Sequence, residues 1–266
     1  LSWQFKDNLY WGVNLNFNDV LVEKELRHVE SNFDSDSPIT DIDFRNYLTT
    51  NGNGFSVQAG LIYKIGTVRL GVSYSTPTYY NFEDNLEQYI KTRSIDVDNV
   101  TYTDIVDPNV TNVYLYDFKS PSKLAFSGAA VINNMLIISA DITNKNYSKS
   151  EFKHRNFNVY ESLNSAIQKN LTNVMDYKIG SEIKLNKFSI RAGYKALNNP
   201  YQNSEKKYLT SQSFGLGYNF SASTLDFAII NSKRNYDYQL FDTGLTDLAN
   251  ISHEEIKVIL SYNIIF

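Results

Sequence analysis

Cysteine is absent from this sequence, which removes disulfides and thiolate metal sites from any account of its fold. Such an absence is a habit of proteins that pass through an oxidising periplasm. Long apolar runs are missing too: no stretch approaches the roughly 18 consecutive apolar residues of a membrane helix, and mean hydropathy is −0.36. Helical membrane spans are therefore excluded. There is no surplus of basic charge, because the formal net charge is −4 and the pI is about 5.5. Nucleic acid is set aside as a partner on that ground. The opening "LSWQFKDNLYW" has neither the charged nor the apolar region of a signal peptide. What the 266 residues do contain is aromatic: 20 Tyr and 16 Phe, among many Asn and Ser. That mixture suits strands and turns.

Strict alternation is the dominant pattern. In "NLYWGVNLNF" the apolar set is Leu9, Trp11, Val13, Leu15 and Phe17, opposite Asn8, Tyr10, Gly12, Asn14 and Asn16. "GFSVQAGLIYKIGTVRLGVSY" repeats it on both sides of a turn at Gly66, as a hairpin would. Three more hairpins follow, turning at Asn133-Asn134, at Asn186-Lys187 and near Ala222. The chain closes on Ile256, Val258, Leu260, Tyr262, Ile264 and Phe266, again every second residue. Long polar connections separate the hairpins, at 23–53, 76–111, 149–171, 197–207 and 236–251. Short turns at one end and long loops at the other describe an all-β, transmembrane, antiparallel up-and-down β-barrel.

At about 2.5 Å of height per tilted residue, an apolar band of ~25 Å takes about ten residues, the length of the final segment. Trp3, Phe5, Tyr63, Phe188, Phe220 and Phe266 would form the inner aromatic girdle, with Phe17, Tyr74, Tyr194 and Tyr208 toward the outer one. Counting back from Phe266 gives about ten strands plus a tail, "LSWQF". A barrel must close, so residues 1–266 are expected to be a single barrel domain, incomplete at its N-terminus.

Two stretches carry a family likeness: "GLIYKIGTVRLGVSYSTPTYYNF", a strand, short turn and strand ending in Tyr-Ser-x-Pro, and "SPSKLAFSGAAVINNMLIISADITNKNYS", a Pro-x-x-hydrophobic-x-x-Gly hairpin followed by Asp and a Tyr-Ser pair. With them the chain resembles the long-chain fatty acid transporter FadL and its relatives OmpP1 and TodX, in the form found in Bacteroidetes. The resemblance implies a barrel of about fourteen strands plugged by an N-terminal hatch, of which this chain matches the C-terminal part. The hatch and early strands have no counterpart here, so none of the family's functional residues is carried over. A C-terminal aromatic such as Phe266 resembles the signal read by the barrel assembly machinery.

His28, His154 and His253 fall in expected loops or strand ends, with no Ser–His pairing of the kind nucleophilic catalysis needs. The acidic loop "DVDNVTYTDIVD" lacks the Gly and terminal Glu of an EF-hand and reads as solvated. No catalytic residue, metal site or cofactor is expected. Among the lumen-facing charges, Arg69, Lys178, Arg191 and Lys195 are the candidates to meet an anionic head group. Two loop segments have helical spacing: "NFEDNLEQYIKT", with Phe82 and Leu86, and "ESLNSAIQKNL", with Leu163, Ile167 and Ser162 as N-cap. The family analogy makes these helices the roof of a hydrophobic pocket.

The leading expectation is an integral protein of the Gram-negative outer membrane that admits hydrophobic small molecules, such as long-chain fatty acids, without catalysis. Its partners would be the lipid bilayer, a hydrophobic ligand and the barrel assembly machinery. Alternatives are a barrel whose loops hold another outer-membrane protein, as in secretion machinery, and a general porin.

Overall fold

The computed structural model describes residues 1–5, 7–34, 36–107, 110–154, 159–202, 208–239 and 247–264. Its strands are β1 (Ser2–Phe5), β2 (Leu9–Ser31), β3 (Ile39–Ile65), β4 (Val68–Ser75), β5 (Tyr79–Ile95), β6 (Thr101–Val106), β7 (Asn112–Lys119), β8 (Lys123–Ile132), β9 (Leu136–Asn146), β10 (Glu151–Lys153), β11 (Asn173–Leu185), β12 (Phe188–Leu197), β13 (Leu209–Asn219), β14 (Ser223–Gln239) and β15 (Leu248–Ile264). Among the described residues one α-helix, α1 (Glu161–Asn170), follows β10, and a single 3-10 turn, Tyr147–Lys149, precedes that strand. All fifteen strands belong to a single antiparallel sheet.

Three passages across the wall are composite: β4 with β5, β6 and β7 with β8, and β9 with β10. With β2, β3 and β11 to β15 they make ten, and β1 lies beside β2 as a tail, which matches the expected count. Proline interrupts two of the composite passages because it has no N–H for the ladder. The breaks are stitched from their flanks: Thr76 N donates to Val57 O (2.9 Å) and Ser120 N to Thr78 O (3.0 Å), while Thr78 N reaches Ser120 Oγ (2.9 Å). The wall therefore bends at Pro77 and Pro121 without parting.

Short turns gather at one end, as expected. Asn133, Asn134 and Asn186 have positive φ, as does Gly66, the backbone that two-residue hairpin turns require.

Register lines up one apolar face across the sheet. Leu15 pairs Val57, Leu61 pairs Val72, Val72 pairs Phe126, and Phe126 pairs Ile142. The row continues through Ile183 with Ile190, Ile190 with Leu216, Leu216 with Phe227 and Phe227 with Leu260. Most of these side chains are exposed: Leu216 is 45% and Leu260 69% accessible, as is Phe214 on the same face at 48%, while Gly215 and Gly217 on the other face of that strand are buried. A water-soluble sheet does the reverse. The total accessible surface is 18,945 Å², whereas a compact soluble protein of 30.5 kDa would expose roughly 12,000 Å². Val174 and Ala196 are the buried apolar residues among those described. The exposed apolar face is the lipid face of a barrel wall, and the polar face, rich in Gly and Ser, is the lumen.

Several expected loops are strands. Residues 23–31 and 39–53 complete β2 and β3, the latter 27 residues long, and 79–95 form β5. Above the lipid no face must be uniformly apolar, so the alternation fades while the backbone pairing continues. The expected helix around Phe82 and Leu86 is corrected by the same pairing, which joins Phe82 to Gly52 and Leu86 to Leu48. Phe82, Leu86 and Ile90 are four apart, a spacing that fits a strand face as well as a helix. Lys6, Asn109 and Phe266 lie outside the described residues, so the girdle and assembly-signal roles expected of Phe266 rest on sequence alone.

Candidate functional site

The lumen face sorts its cations into paired and unpaired. Arg191 on β12 lies between two carboxylates, with Nε 2.7 Å from Glu182 on β11 and Nη1 2.5 Å from Asp226 on β14. Lys184 adds a contact to Glu182 at 3.3 Å. Arg191 thus closes a bridge over three strands and has no free charge for a ligand. Lys178 and Lys195 stand opposite each other on β11 and β12, and neither forms an ion pair among the described residues. Asp141, across from Lys178, accepts from Ser127. Arg69 sits apart on β4, opposite Lys64 and Ala129 near the short-turn end. The four expected cations are therefore not one cluster; the geometry joins two of them.

A second region lies above the bend, where β5, β7, β10 and the cap of α1 bring aromatic rings to the lumen face. Tyr80 pairs Phe118, which pairs Phe152, and Phe82 pairs Tyr116 in the neighbouring row. Tyr79, the next residue of β5, points the other way with Phe55 and is 57% exposed. Ring centroids are 5.2 Å apart for Tyr80 and Phe82, 5.4 Å for Phe82 and Tyr116, 4.8 Å for Phe118 and Phe152, and 5.8 Å for Phe152 and Tyr160. Two glycines of β3 make the room: a Cβ on Gly52 would stand 2.2 Å from the Phe82 ring, and one on Gly54 2.4 Å from the Tyr80 ring. No other residue fits beneath these rings as they stand. The sheet thus presents a half-exposed apolar patch inward, where its lower half is polar.

Asp84 borders the patch. Its Oδ1 accepts from Thr50 Oγ1 at 2.6 Å and from the Tyr116 hydroxyl at 3.3 Å. Burial, with the nearby Asp84 charge, pushes the Tyr116 phenol up to about 12, so it remains a donor at neutral pH. Helix α1 is tied to the edge of this region by Asn164, whose side chain accepts from Phe152 N and donates to Phe152 O, both at 2.8 Å. That amide does for β10 what a neighbouring strand would do. The helix is otherwise mostly exposed; Leu163 is 42% accessible and Ile167 half-buried. The cap residue is Tyr160, without a side-chain cap bond, rather than Ser162.

Sequence reasoning found Phe82 and Leu86 on this face, though as parts of a helix, and it missed Tyr80, Asp84, Tyr116, Phe118, Phe152 and Tyr160. The alternation in "YLYDFK" and the paired glycines of "NGNGF" were the available signals. A hollow of about 710 Å³ touches Gly52, Phe82 and Tyr116 but is lined mainly by residues of the outward face, among them Leu21, Asn51, Asn53, Glu83 and Leu115, so it is distinct from the inward patch. A separate one of about 850 Å³, over the upper ends of β9 to β15, includes Lys145, Asp176 and Tyr208. The Arg234 guanidinium covers the Tyr208 ring at 5.4 Å. On the outward face near the tips of β2 and β3, Arg27 and Arg45 both grip Asp43, at 2.9 and 2.8 Å. Their hydrogen bonds, that of Arg45 foremost, hold the Asp43 carboxyl well below the usual carboxylate range.

An antiparallel wall with lipid outside, charge inside and loops sorted by end defines the chain as an outer-membrane type of barrel wall. No protein-family model and no curated protein sequence matches it. Its fold is similar to that of the Pseudomonas putida toluene transporter TodX, at 17% identity with a TM-score of 0.56, covering 100% of this chain and 67% of that one. A TodX deltaS2S3 mutant, described as a monoaromatic hydrocarbon channel, gives 16%, 0.55, and coverage of 100% and 68%. BauA, the ferric preacinetobactin receptor of Acinetobacter baumannii, gives 12% and 0.52, covering 98% of this chain and 41% of that one. The fold is that of an outer-membrane β-barrel wall, similar to the wall of TodX.

Proposed function

We propose that the chain forms part of an outer-membrane channel through which hydrophobic small molecules pass without catalysis, in a Gram-negative cell. The observation that carries this reading is the inward aromatic patch above the bend. An apolar surface held in the lumen above the lipid level has no bilayer to cover it, and concave apolar surfaces with a few polar groups are where small ligands bind. The hydrocarbon transporter and channel among the structural neighbours support it. Long-chain fatty acids belong to the same proposal, with Lys178 and Lys195 as the pair that would meet a carboxylate. A general porin has no use for the patch. A protein-binding role finds support in the exposed Leu163 of α1.

Gly52→Val tests the reading. The added side chain must drive the Phe82 ring out of place, so uptake of a labelled aromatic hydrocarbon by cells carrying the variant is expected to fall several-fold, while the heat-modifiable gel mobility of the folded barrel stays. Unchanged uptake by a correctly folded variant would overturn it.

A further inference from the structure

We propose that the aromatic patch selects hydrophobes with a hydrogen-bond-donating head, an alcohol or an amine, over those with a carboxylate, and that Asp84 is the residue that chooses; the proposal rests on the hydrophobic-passage reading above. Both donors supplied by the wall, Thr50 and Tyr116, converge on the same oxygen, Oδ1. Among the described residues Oδ2 accepts no hydrogen bond and Asp84 forms no ion pair.

Its setting makes that oxygen matter. Along β5 the residues on its face are Phe82 and Leu86, and Tyr114 stands directly across the ladder. A ligand lying on the rings therefore carries its head to a carboxylate with an open acceptor. A hydroxyl or ammonium head completes Asp84's hydrogen bonding, and an ammonium also gains from the ring faces of Phe82 and Tyr116. A carboxylate head meets like charge at a place where water is partly displaced, which is strongly unfavourable. The lumen cations Lys178 and Lys195 lie on other strands, so an anion drawn to them gains nothing at this patch. The upper site and the lower pair thus have opposite preferences.

The experiment uses decanol, decylamine and decanoate as matched probes, each displacing a fluorescent hydrophobe from the purified full chain in zwitterionic nanodiscs. Decanol and decylamine are expected to bind at least about 10-fold more tightly than decanoate, a ratio worth one decade in affinity. In Asp84→Asn the amine-to-carboxylate ratio should collapse by about 10-fold while decanol shifts by less than about twofold. Asp84→Lys should invert the order. Glu83→Gln, one residue away on the outward face, should change nothing and controls for general charge. If decanol binds but decanoate matches it, or if Asp84→Asn leaves every ratio intact, the selectivity proposal falls and the passage reading stands. If none of the three displaces the hydrophobe, both fall.

Discussion

The lower and upper halves of β3 are one strand with two opposite polarities. From Leu61 to Phe55 its outward residues are apolar (Leu61, Ala59, Val57) and its inward ones are small or polar (Gly60, Gln58, Ser56). Past Gly54 the outward row becomes Asn53, Asn51 and Thr49, and apolar groups reappear inward at Leu48, Phe44 and Ile42. Nothing in the ladder marks the change, because the pairing with β2 runs unbroken from Leu9 to Ser31. The medium outside the wall explains it: hydrocarbon beside the lower half, water beside the upper. What the difference teaches is that the inward apolar groups of the upper half answer to a ligand or to each other, since lipid cannot reach them.

Arginine placed on the outward face at two heights of β2 would break this comparison most sharply. Val13, opposite Ala59 in the middle of the lipid belt, changed to Arg is expected to cost about 2–4 kcal/mol, the midplane penalty for a charge on the lipid face. Leu21→Arg, on the same face but above Phe17 and 66% exposed, should cost about 1 kcal/mol or less. Denaturant unfolding in phospholipid vesicles reads both. Equal costs would move the lipid boundary and undo the division.

The lower half was legible because lipid imposes a strict rule on every second residue. Leu216, Phe227 and Leu260 obey it, and alternation alone sets each of them on the outward face of its strand. The upper half obeys no such rule: Glu23, Thr49 and Asn85 form an outward row that reads as loop, and Phe82-Leu86-Ile90 fits two periods equally. Pairing alone settles them, and pairing depends on strands distant in the chain. The lumen charges were legible as a set but not as partnerships. That Arg191 is consumed by Glu182 and Asp226 while Lys178 and Lys195 stay open depends on three registers at once.

Those partnerships give the next prediction. Arg191→Ala leaves Glu182 and Asp226 facing each other without their shared cation, and a loss of about 1–2 kcal/mol in unfolding free energy is expected. Lys178→Ala removes a cation that holds nothing, so stability should stay within about 0.5 kcal/mol. If passage of fatty acids uses the open pair, Lys178→Ala lowers decanoate uptake while sparing stability. Arg191→Ala, where it folds, should leave decanoate uptake unchanged. The reverse assignment of effects would show that the ion pairs are rearranged when the lumen is occupied.

The smallest effect belongs to the far tip, where Asp43 sits between Arg27 and Arg45. A carboxyl whose pKa is lowered by folding contributes stability that is fully present above its unfolded value, about 3.9, and that is lost as pH falls through its folded value. Asp43 is lowered by its bonds to Arg45 and then Arg27, and both guanidiniums stay charged throughout. The protection factors of backbone amides in residues 39–48, which divide out the intrinsic pH dependence of exchange, should therefore be as high at pH 5 as at pH 7, and should fall only once pH drops below the ordinary carboxylate range. Asp43→Asn should give the lowered protection at every pH, by a modest factor because the guanidiniums are half-exposed and screened by salt. Residues 55–63 of the same strand, gripped by lipid on one face and strands on both edges, should show no change in either test. Protection factors that rose on acidification would mean that Arg27 and Arg45 repel more than Asp43 unites them, and the tip would then be held by the β2–β3 ladder alone.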